Sequence, residues 1–245
     1  MKKILSIIIM AAMMLTLVSC GSASNETSQT KEAENTKDAS VSTTENKENT
    51  QETITNKSNS KSLIVYFSRV GNTSFSNKVD VVSSASLNSG NSGLSGNAEI
   101  IANIIKEQTK GDVFEIKTVN SYPEGYRDTT DQADKEKKAN ARPKLSSHVD
   151  NMDNYDIIFL VYPNWWGTIP MPVYTFLEEY NFSGKTIMPL CTHEGSAMGN
   201  SKSDIASLCP KAKLLDGLAI RGGSVNSSDT KNSVIDWIKK SGISN

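Results

Sequence analysis

Histidine and cysteine are scarce in this 245-residue sequence, which has two of the first and three of the second. His148 and His193 stand alone, and no cysteine or histidine cluster has the spacing of a zinc site, so we expect no metal centre. The formal net charge of -1 gives no basic excess, which argues against nucleic acid as a partner. Cys191 ends an apolar run and Cys209 precedes a proline, so we predict two separate buried thiols rather than a disulfide.

The first 20 residues have the features of a bacterial export signal. Two lysines precede the apolar run Ile4–Val18, which is too short to span a bilayer comfortably and ends at small residues. The four residues Leu-Val-Ser-Cys that end at Cys20 resemble the bacterial lipobox, in which the cysteine receives the lipid and becomes the mature N-terminus. We therefore predict a lipoprotein signal peptide over residues 1–20 and an extracytoplasmic protein that is lipid-anchored to the bacterial cell membrane through Cys20. The alternative is an incidental Cys20 and cleavage elsewhere.

Residues 21–61 consist almost entirely of Ser, Thr, Asn, Glu, Lys and Gln. Apolar residues are nearly absent, so burial cannot offset the entropy of ordering this stretch, and we predict a disordered linker. Residues 62–245 are long enough for one domain with a substantial core.

The domain alternates short apolar runs with helical patterns. The runs predict five strands, at residues 63–67, 113–117, 156–161, 186–191 and 213–220. Helices are predicted from about 99 to a C-cap at Gly111, and at 129–141, 170–180, 201–208 and 229–241. Strands separated by helices indicate an α/β fold with a doubly wound parallel sheet, and the pattern alone leaves two common strand orders open. A Ser/Asn/Gly-rich insertion at about 74–97, which contains Val79–Val82, is predicted to form a small hairpin or an irregular flap.

Three distinctive loops follow predicted strands one, three and four, at the edge where open α/β sheets bind ligands. The first offers hydroxyls, a glycine and free amides, which favour a phosphate cradle, although a plain turn is the alternative. Its residues are Ser68, Arg69, Val70, Gly71, Asn72 and Thr73. It matches neither the Walker loop nor the dinucleotide fingerprint.

The second and third loops supply aromatic and polar groups. The second carries two adjacent tryptophans that either pack on protein or stack on a flat aromatic ligand. Its candidate residues are Pro163, Asn164, Trp165, Trp166 and Gly167. The third is rich in hydrogen-bonding groups and begins with Thr192, His193, Glu194 and Gly195.

Together, the motifs Ser-x-x-Gly-Asn-Thr, Tyr-Pro-x-Trp-Trp-Gly-Thr-x-Pro and Cys-Thr-x-x-Gly-Ser resemble the flavodoxin family, nearest to its flavodoxin-like lipoprotein and FMN reductase branch. The resemblance implies strand order 2-1-3-4-5 and FMN at the junction of strands one and three. It places the phosphate at residues 68–73, the isoalloxazine ring along 163–167 with one tryptophan stacked on it, and the polar edge of the ring at 192–195. The insertion departs from the family pattern, because a second Gly-Asn pair opens the helix, so the cradle is alternatively split between 68–70 and 96–98, with Asn97 replacing Asn72.

The resemblance implies redox function but leaves its kind open. We expect a membrane-tethered electron carrier or a reductase of quinone-like acceptors, with a flavin-free binding or adhesion module as the alternative. No nicotinamide fingerprint is recognisable, which favours electrons supplied by a redox partner. An aromatic wall and the charge of Glu194 predict a low flavin potential, and His193 is interpreted either as a hydrogen-bonding group at the flavin edge or as a turn residue.

Overall fold

The computed structural model describes residues 60–76, 79–80, 82, 85–90 and 93–243. The predicted signal segment 1–20, Cys20 and linker residues 21–59 lie outside the described residues. Within the described part, no helix has both the length and the apolar character needed to cross a bilayer.

One parallel sheet forms the centre of the fold. Chain order gives strands β1 Ser62–Tyr66, β2 Leu87–Gly90, β3 Gly93–Gly96, β4 Asp112–Glu115, β5 Ile157–Pro163, β6 Thr186–His193, β7 Lys213–Leu214 and β8 Leu218–Arg221. The sheet runs β4-β1-β5-β6-β7, and β8 also pairs with β6. Counting only these parallel strands, the order is the 2-1-3-4-5 arrangement that the resemblance implied, so that expectation is confirmed.

Helices cover both faces of the sheet. They are α1 Asn97–Thr109, α2 Tyr126–Lys138, α3 Met171–Glu179, α4 Ser201–Leu208 and α5 Ser228–Lys240. Alternate residues of β1 point to opposite faces: Ile64 packs with α1 and α5, whereas Val65 and Phe67 pack with α3 and α4. The continuous apolar strands that the sequence showed are therefore buried on both sides.

The fifth predicted strand is corrected to two short strands. β7 and β8 both pair with β6, but their registers differ by one residue, since Ile187 lies opposite Leu214 and Leu190 opposite Leu218. One extra residue therefore separates the two pieces, as in a β-bulge. A Cβ on Gly217, within the break, would lie 2.6 Å from Met198 Cε, so the chain passes very close to the third loop there.

Two helix ends also differ from the sequence pattern. The left-handed residue that ends α1 is Lys110, with φ of 55°, rather than Gly111. Gly111 is needed for a close approach, because a Cβ there would lie 2.9 Å from the carbonyl oxygen of Ser62. α2 begins three residues earlier than predicted, at Tyr126, whose amide donates to the carboxylate of Asp80 (2.9 Å).

The insertion contains a small hairpin, in agreement with one of the two expectations for it. β2 and β3 pair antiparallel, with Leu87 opposite Gly96 and Gly90 opposite Gly93. The hairpin lies C-terminal to the apolar stretch at 79–82 and leads directly into α1. It therefore places α1 immediately after an ordered strand rather than after the first loop.

Candidate functional site

The three predicted loops meet at the carboxyl edge of the sheet. The backbone amide of Asn164, in the second loop, donates to the carbonyl of Thr192 in the third (2.7 Å). Phe67, which begins the turn after β1, lies edge-on to Trp165 with ring centroids 5.3 Å apart. Segments separated by about a hundred residues in sequence are thus in direct contact.

A cavity of about 260 Å³ lies among these loops and α2. Five of the residues predicted from the loops line it: Arg69, Asn164, Trp165, Trp166 and Glu194. Its remaining walls come from the insertion and from α2, through Ala85, Ser86, Tyr126, Thr129, Thr130 and Ala133. The cavity thus has aromatic walls, one buried cation and one carboxylate.

Trp165 is fixed by contacts on several sides. Its ring lies edge-on to Phe67 and to Tyr122, at centroid distances of 5.3 and 5.1 Å. Its indole nitrogen donates to the hydroxyl of Ser86 (2.9 Å). Because rings in such contacts and a bonded indole resist rotation, Trp165 is a rigid part of the cavity wall.

Trp166 occupies a tight turn next to it. The backbone groups of Trp165 and Thr168 bond to each other in both directions, at 3.0 and 3.2 Å. The two residues between them have positive φ, 53° at Trp166 and 82° at Gly167, the pattern of a type I′ turn. Trp166 remains 51% exposed, and its indole nitrogen donates to the carbonyl of Thr130 in α2 (3.0 Å). The turn thus holds a large, half-exposed ring at the mouth of the cavity.

Ser68 faces the start of α1. A Cβ on Gly96 would lie only 2.0 Å from Ser68 Oγ, so glycine allows the serine hydroxyl and the helix start to approach each other. The first amide of α1, that of Asn97, donates to the carbonyl of Ser86 (3.0 Å). Ser68, Asn97 and the positive end of the α1 dipole therefore share one corner of the site.

Arg69 points to the other side. It is 2% exposed, and its Nη2 donates to the carbonyl of Glu124 (2.8 Å) and to Thr129 Oγ1 (3.2 Å). The ring of Phe75 covers its Cζ at 5.2 Å from the centroid. Nε and Nη1 have no hydrogen-bond partner among the described residues. Burial lowers the pKa of this guanidinium, and the charge of Asp80 opposes that shift.

The second half of the first loop turns away from the cavity. Asn72 is buried, and its Nδ2 donates to the carbonyls of Ser68 and Ile116, both at 2.9 Å. Its Oδ1 accepts from the amide of Thr118 (2.7 Å), beyond the end of β4. A Cβ on Gly71 would lie 1.5 Å from Glu115 Oε1.

Two other residues of this loop also take part in local contacts. Thr73 forms a bridge with Tyr122. The amide of Val70 donates to Ser68 Oγ (3.2 Å). The hydrogen bonds of its side chain give Asn72 a structural role. Of the two asparagines considered from sequence, Asn97 is the one that lies beside Ser68 at the helix start.

The third loop is partly covered by the insertion. Thr192 is fully buried, and its hydroxyl donates to the carbonyl of Ala85 (2.6 Å). His193 pairs in register with Arg221 of β8, and its Nδ1 is buried without a partner among the described residues. Burial, with a smaller effect from Arg221, lowers the pKa of His193. Glu194 lines the cavity, and Gly195, like Glu194, is exposed.

The second loop is also tied to the third by the side chain of Asn164. Its Nδ2 donates to the carbonyl of Ala197 (2.9 Å), and its Oδ1 accepts from the amide of Gly167 (2.9 Å). Pro163 ends β5 and lies opposite Thr192 in register. These bonds fix the spacing between the two loops.

Sequence reasoning missed the contribution of α2. Tyr126, Thr129, Thr130 and Ala133 recur at helical spacing and form one stripe that faces the cavity. The sequence contains this periodicity, but the helix was predicted to begin only at 129, and none of these four residues was predicted to belong to the site. Ser86 carried no such signal, because it lies among many similar residues of the insertion.

The cysteine thiols and possible metal ligands bear on two further expectations from the sequence. Cys191 and Cys209 are separate, buried thiols, as predicted. Burial raises the pKa of Cys191 to about 12 and that of Cys209 to about 11. Among the described residues, no group of His, Cys, Asp or Glu side chains is arranged to hold a metal ion.

The fold and the position of the cavity define a flavodoxin-like α/β protein with a site at the point where the strand order reverses. A family model described as flavodoxin matches residues 89–241. The chain therefore belongs to the flavodoxin family. The comparison with curated proteins gives no match.

Solved structures share the fold. A candidate flavoprotein from Bacteroides eggerthii is 22% identical, with 74% of this chain and 98% of that chain covered and a TM-score of 0.56. A candidate flavoprotein from Bacteroides uniformis is 24% identical, with the same coverage and a TM-score of 0.55. A flavoprotein from Lactobacillus acidophilus, solved in complex with FMN, is 19% identical over 70% of this chain and 99% of that chain, with a TM-score of 0.48.

Proposed function

We propose that this chain binds FMN at the carboxyl edge of its sheet and transfers electrons, either as a carrier or as a reductase of quinone-like acceptors. The observation that carries the proposal is the cavity between Trp165, Trp166 and α2, whose wall residue Ser86 accepts a hydrogen bond from the first amide of α1. Membership of the flavodoxin family supports the same cofactor. Bound FMN would supply the electron chemistry, and the protein binds and shields it.

The residues present fit the two chemically different parts of FMN. At the start of α1, Gly96 leaves room for the hydroxyl of Ser68, and the helix dipole favours a phosphate. The cavity volume of about 260 Å³ lies just below the range of about 300–1,000 Å³ for small-molecule pockets. Its tryptophans offer flat surfaces for a planar ring, and Trp166 and Tyr126 are exposed at its mouth. We therefore assign the phosphate to the helix start and the ring to the cavity.

Absorbance of the full chain, purified in detergent, tests the proposal. We expect a yellow protein with one FMN per chain, or an apoprotein that binds added FMN in that ratio. Replacing Trp166 with leucine should weaken binding about fivefold to a hundredfold, since an aromatic contact and its buried area contribute about 1–3 kcal/mol. The matched control is Trp237→Leu, because Trp237 packs against Phe159 on the other face of the sheet. A colourless chain without FMN affinity would refute the proposal and favour the flavin-free binding module.

Consumption of NAD(P)H distinguishes a reductase from a carrier. With FMN bound, a reductase consumes NAD(P)H when a quinone is added, whereas a carrier needs a reduced protein partner. The absence of a nicotinamide fingerprint in the sequence supports partner-supplied electrons. We therefore expect slow NAD(P)H consumption in the presence of quinone. Rapid NAD(P)H consumption with quinone and without a protein partner would contradict this expectation.

We further propose that lipid on Cys20 anchors the protein to the extracytoplasmic side of the bacterial membrane. The support is the order of lysines, apolar run, small residue and cysteine in residues 1–20, followed by the polar linker. Cells given a labelled fatty acid should incorporate it into the protein, and the Cys20→Ala variant should remain unlabelled. Label retained in that variant would place the lipid elsewhere and contradict the proposal.

A further inference from the structure

Ser68 and Arg69 are neighbours in the chain, but their side chains serve different corners of the site. Ser68 Oγ lies beside Gly96 at the start of α1. The Arg69 guanidinium instead reaches the first turn of α2, where Nη2 bonds to Thr129, and it lines the cavity with the tryptophans. α1 belongs to one face of the sheet, whereas the ring of Trp165 packs with the core of the other. The cation is thus directed toward the ring cavity and away from the phosphate corner.

The guanidinium has unused hydrogen-bonding capacity in this position. Arg69 is 2% exposed, yet Nε and Nη1 lack partners among the described residues. A buried donor without a partner is destabilising, and more so when it is charged. A ligand that brings acceptor oxygens or nitrogens to this wall would recover that cost.

On the opposite side of the site, the side chains of Thr192 and Glu194 have no donor left for the carbonyl oxygens of a ligand. The hydroxyl of Thr192 already donates to Ala85, and its backbone carbonyl accepts from Asn164. Glu194 is the other charged group that lines the cavity, and a carboxylate accepts hydrogen bonds and repels negative charge. Of the two charged side chains that line the cavity, Arg69 is therefore the one that can donate hydrogen bonds to an electron-rich ring edge.

Resting on the proposed FMN binding, we propose that Arg69 contacts the ring of the flavin, on its N1 and C2-carbonyl side, and not the phosphate. In FMN the ribityl chain leaves from N10, which is close to N1 and the C2 carbonyl. A molecule whose phosphate lies at Ser68 therefore brings that side of the ring toward the next residue, Arg69. Reduction places negative charge on the same side, so the guanidinium favours reduced flavin and raises the midpoint potential. The sequence alone predicted a low potential, from the aromatic wall and Glu194, so the two predictions are opposite in sign.

Riboflavin, which has the ring but no phosphate, distinguishes the two contacts. We expect Arg69→Gln to weaken binding of FMN and riboflavin to the full chain by the same factor, about tenfold or more, because a hydrogen bond to a charged group contributes about 1.5–3 kcal/mol. Ser68→Ala should weaken FMN binding alone. Loss confined to FMN in Arg69→Gln, or no loss for either ligand, would overturn the inference. Absence of FMN binding to the unmodified chain would instead refute the proposed function.

A second measurement leaves the protein unchanged, in case Arg69→Gln does not fold. Sulfur in place of the C2 oxygen is a poor acceptor, so 2-thioriboflavin should bind the unmodified chain several-fold more weakly than riboflavin. Equal affinities would overturn the inference. In a folded Arg69→Gln variant, the midpoint potential of bound FMN should fall. The expected change is about 30 mV for each tenfold decrease in the ratio of the affinities for reduced and oxidised flavin. An unchanged potential would also count against the ring contact.

Discussion

Replacing Asn72 with alanine tests whether this residue holds the first loop in place or binds the phosphate. The amide group of Asn72 connects the carbonyls of Ser68 and Ile116 with the amide of Thr118, at 2.7–2.9 Å. Alanine keeps the backbone and removes these three bonds, together with the one that Thr118 Oγ1 donates to Asn72 Oδ1 (3.1 Å). We expect a large loss of stability and little change in FMN affinity.

The magnitude follows from the groups left without partners. The carbonyls of Ser68 and Ile116 are buried, and each costs about 1–3 kcal/mol when it is unsatisfied. Thr118 is half-exposed, so water replaces much of its lost bond. We estimate a loss of about 3 kcal/mol. For a domain of about 150–250 residues, 1 kcal/mol changes the Tm by about 2–4 °C, so the Tm should fall by about 6–12 °C.

Urea unfolding followed by far-ultraviolet circular dichroism measures the stability, and FMN titration at low temperature measures binding. Asn226→Ala is the matched control, because the amide of Asn226 bonds only at the exposed surface to Asn88, and surface changes of this kind stay within about 0.5 kcal/mol. A stability loss below about 1 kcal/mol for Asn72→Ala, or a tenfold loss of FMN affinity in a stable variant, would refute the structural role.

Three other predictions concern the helix start, a histidine and the thiols. Gly96→Ala should weaken FMN binding about tenfold with a small change in stability, because the new Cβ displaces the hydroxyl of Ser68. Unchanged affinity would show that the phosphate does not bind at the start of α1. Because burial lowers the folded-state pKa of His193, the unfolded chain binds its proton first, so stability should be full above about pH 6.5 and decline as the pH falls below it. His193→Gln should flatten that decline in urea midpoints measured from pH 5 to 8, and an identical slope would exclude this histidine as its source. Cys191 and Cys209, whose burial raises their pKa, should resist alkylation until the chain unfolds; peptide mapping showing modification in the native state would contradict their burial.

Sequence patterns predicted the central elements well where burial dictates composition. The apolar run 157–161 lies in β5, whose residues are all buried, and α4 has the predicted bounds, Ser201–Leu208. The break between β7 and β8 could not be predicted from the sequence, since a register shift of one residue leaves the apolar pattern almost unchanged.

The site was only partly predictable for a related reason. Two Gly-Asn pairs, at 71–72 and 96–97, look alike over short range, and only contacts with the segment that follows β4 show that the first is structural. Arg69 was grouped with the phosphate because of its neighbours in the chain, although its side chain bonds 60 positions away, to Thr129. Contacts of this kind depend on how the finished fold brings distant segments together.

The placement of the tryptophans gives the protein its own optical reporter. Trp165 and Trp166 line the cavity, whereas Trp237 lies on the far side of the sheet, with its indole bonded to the carbonyl of Asp216. A flavin in the cavity would quench emission from the first two far more than from the third. Ultraviolet-excited emission of the unlabelled chain therefore follows cofactor loading, and the residual signal of Trp237 follows the integrity of the opposite face.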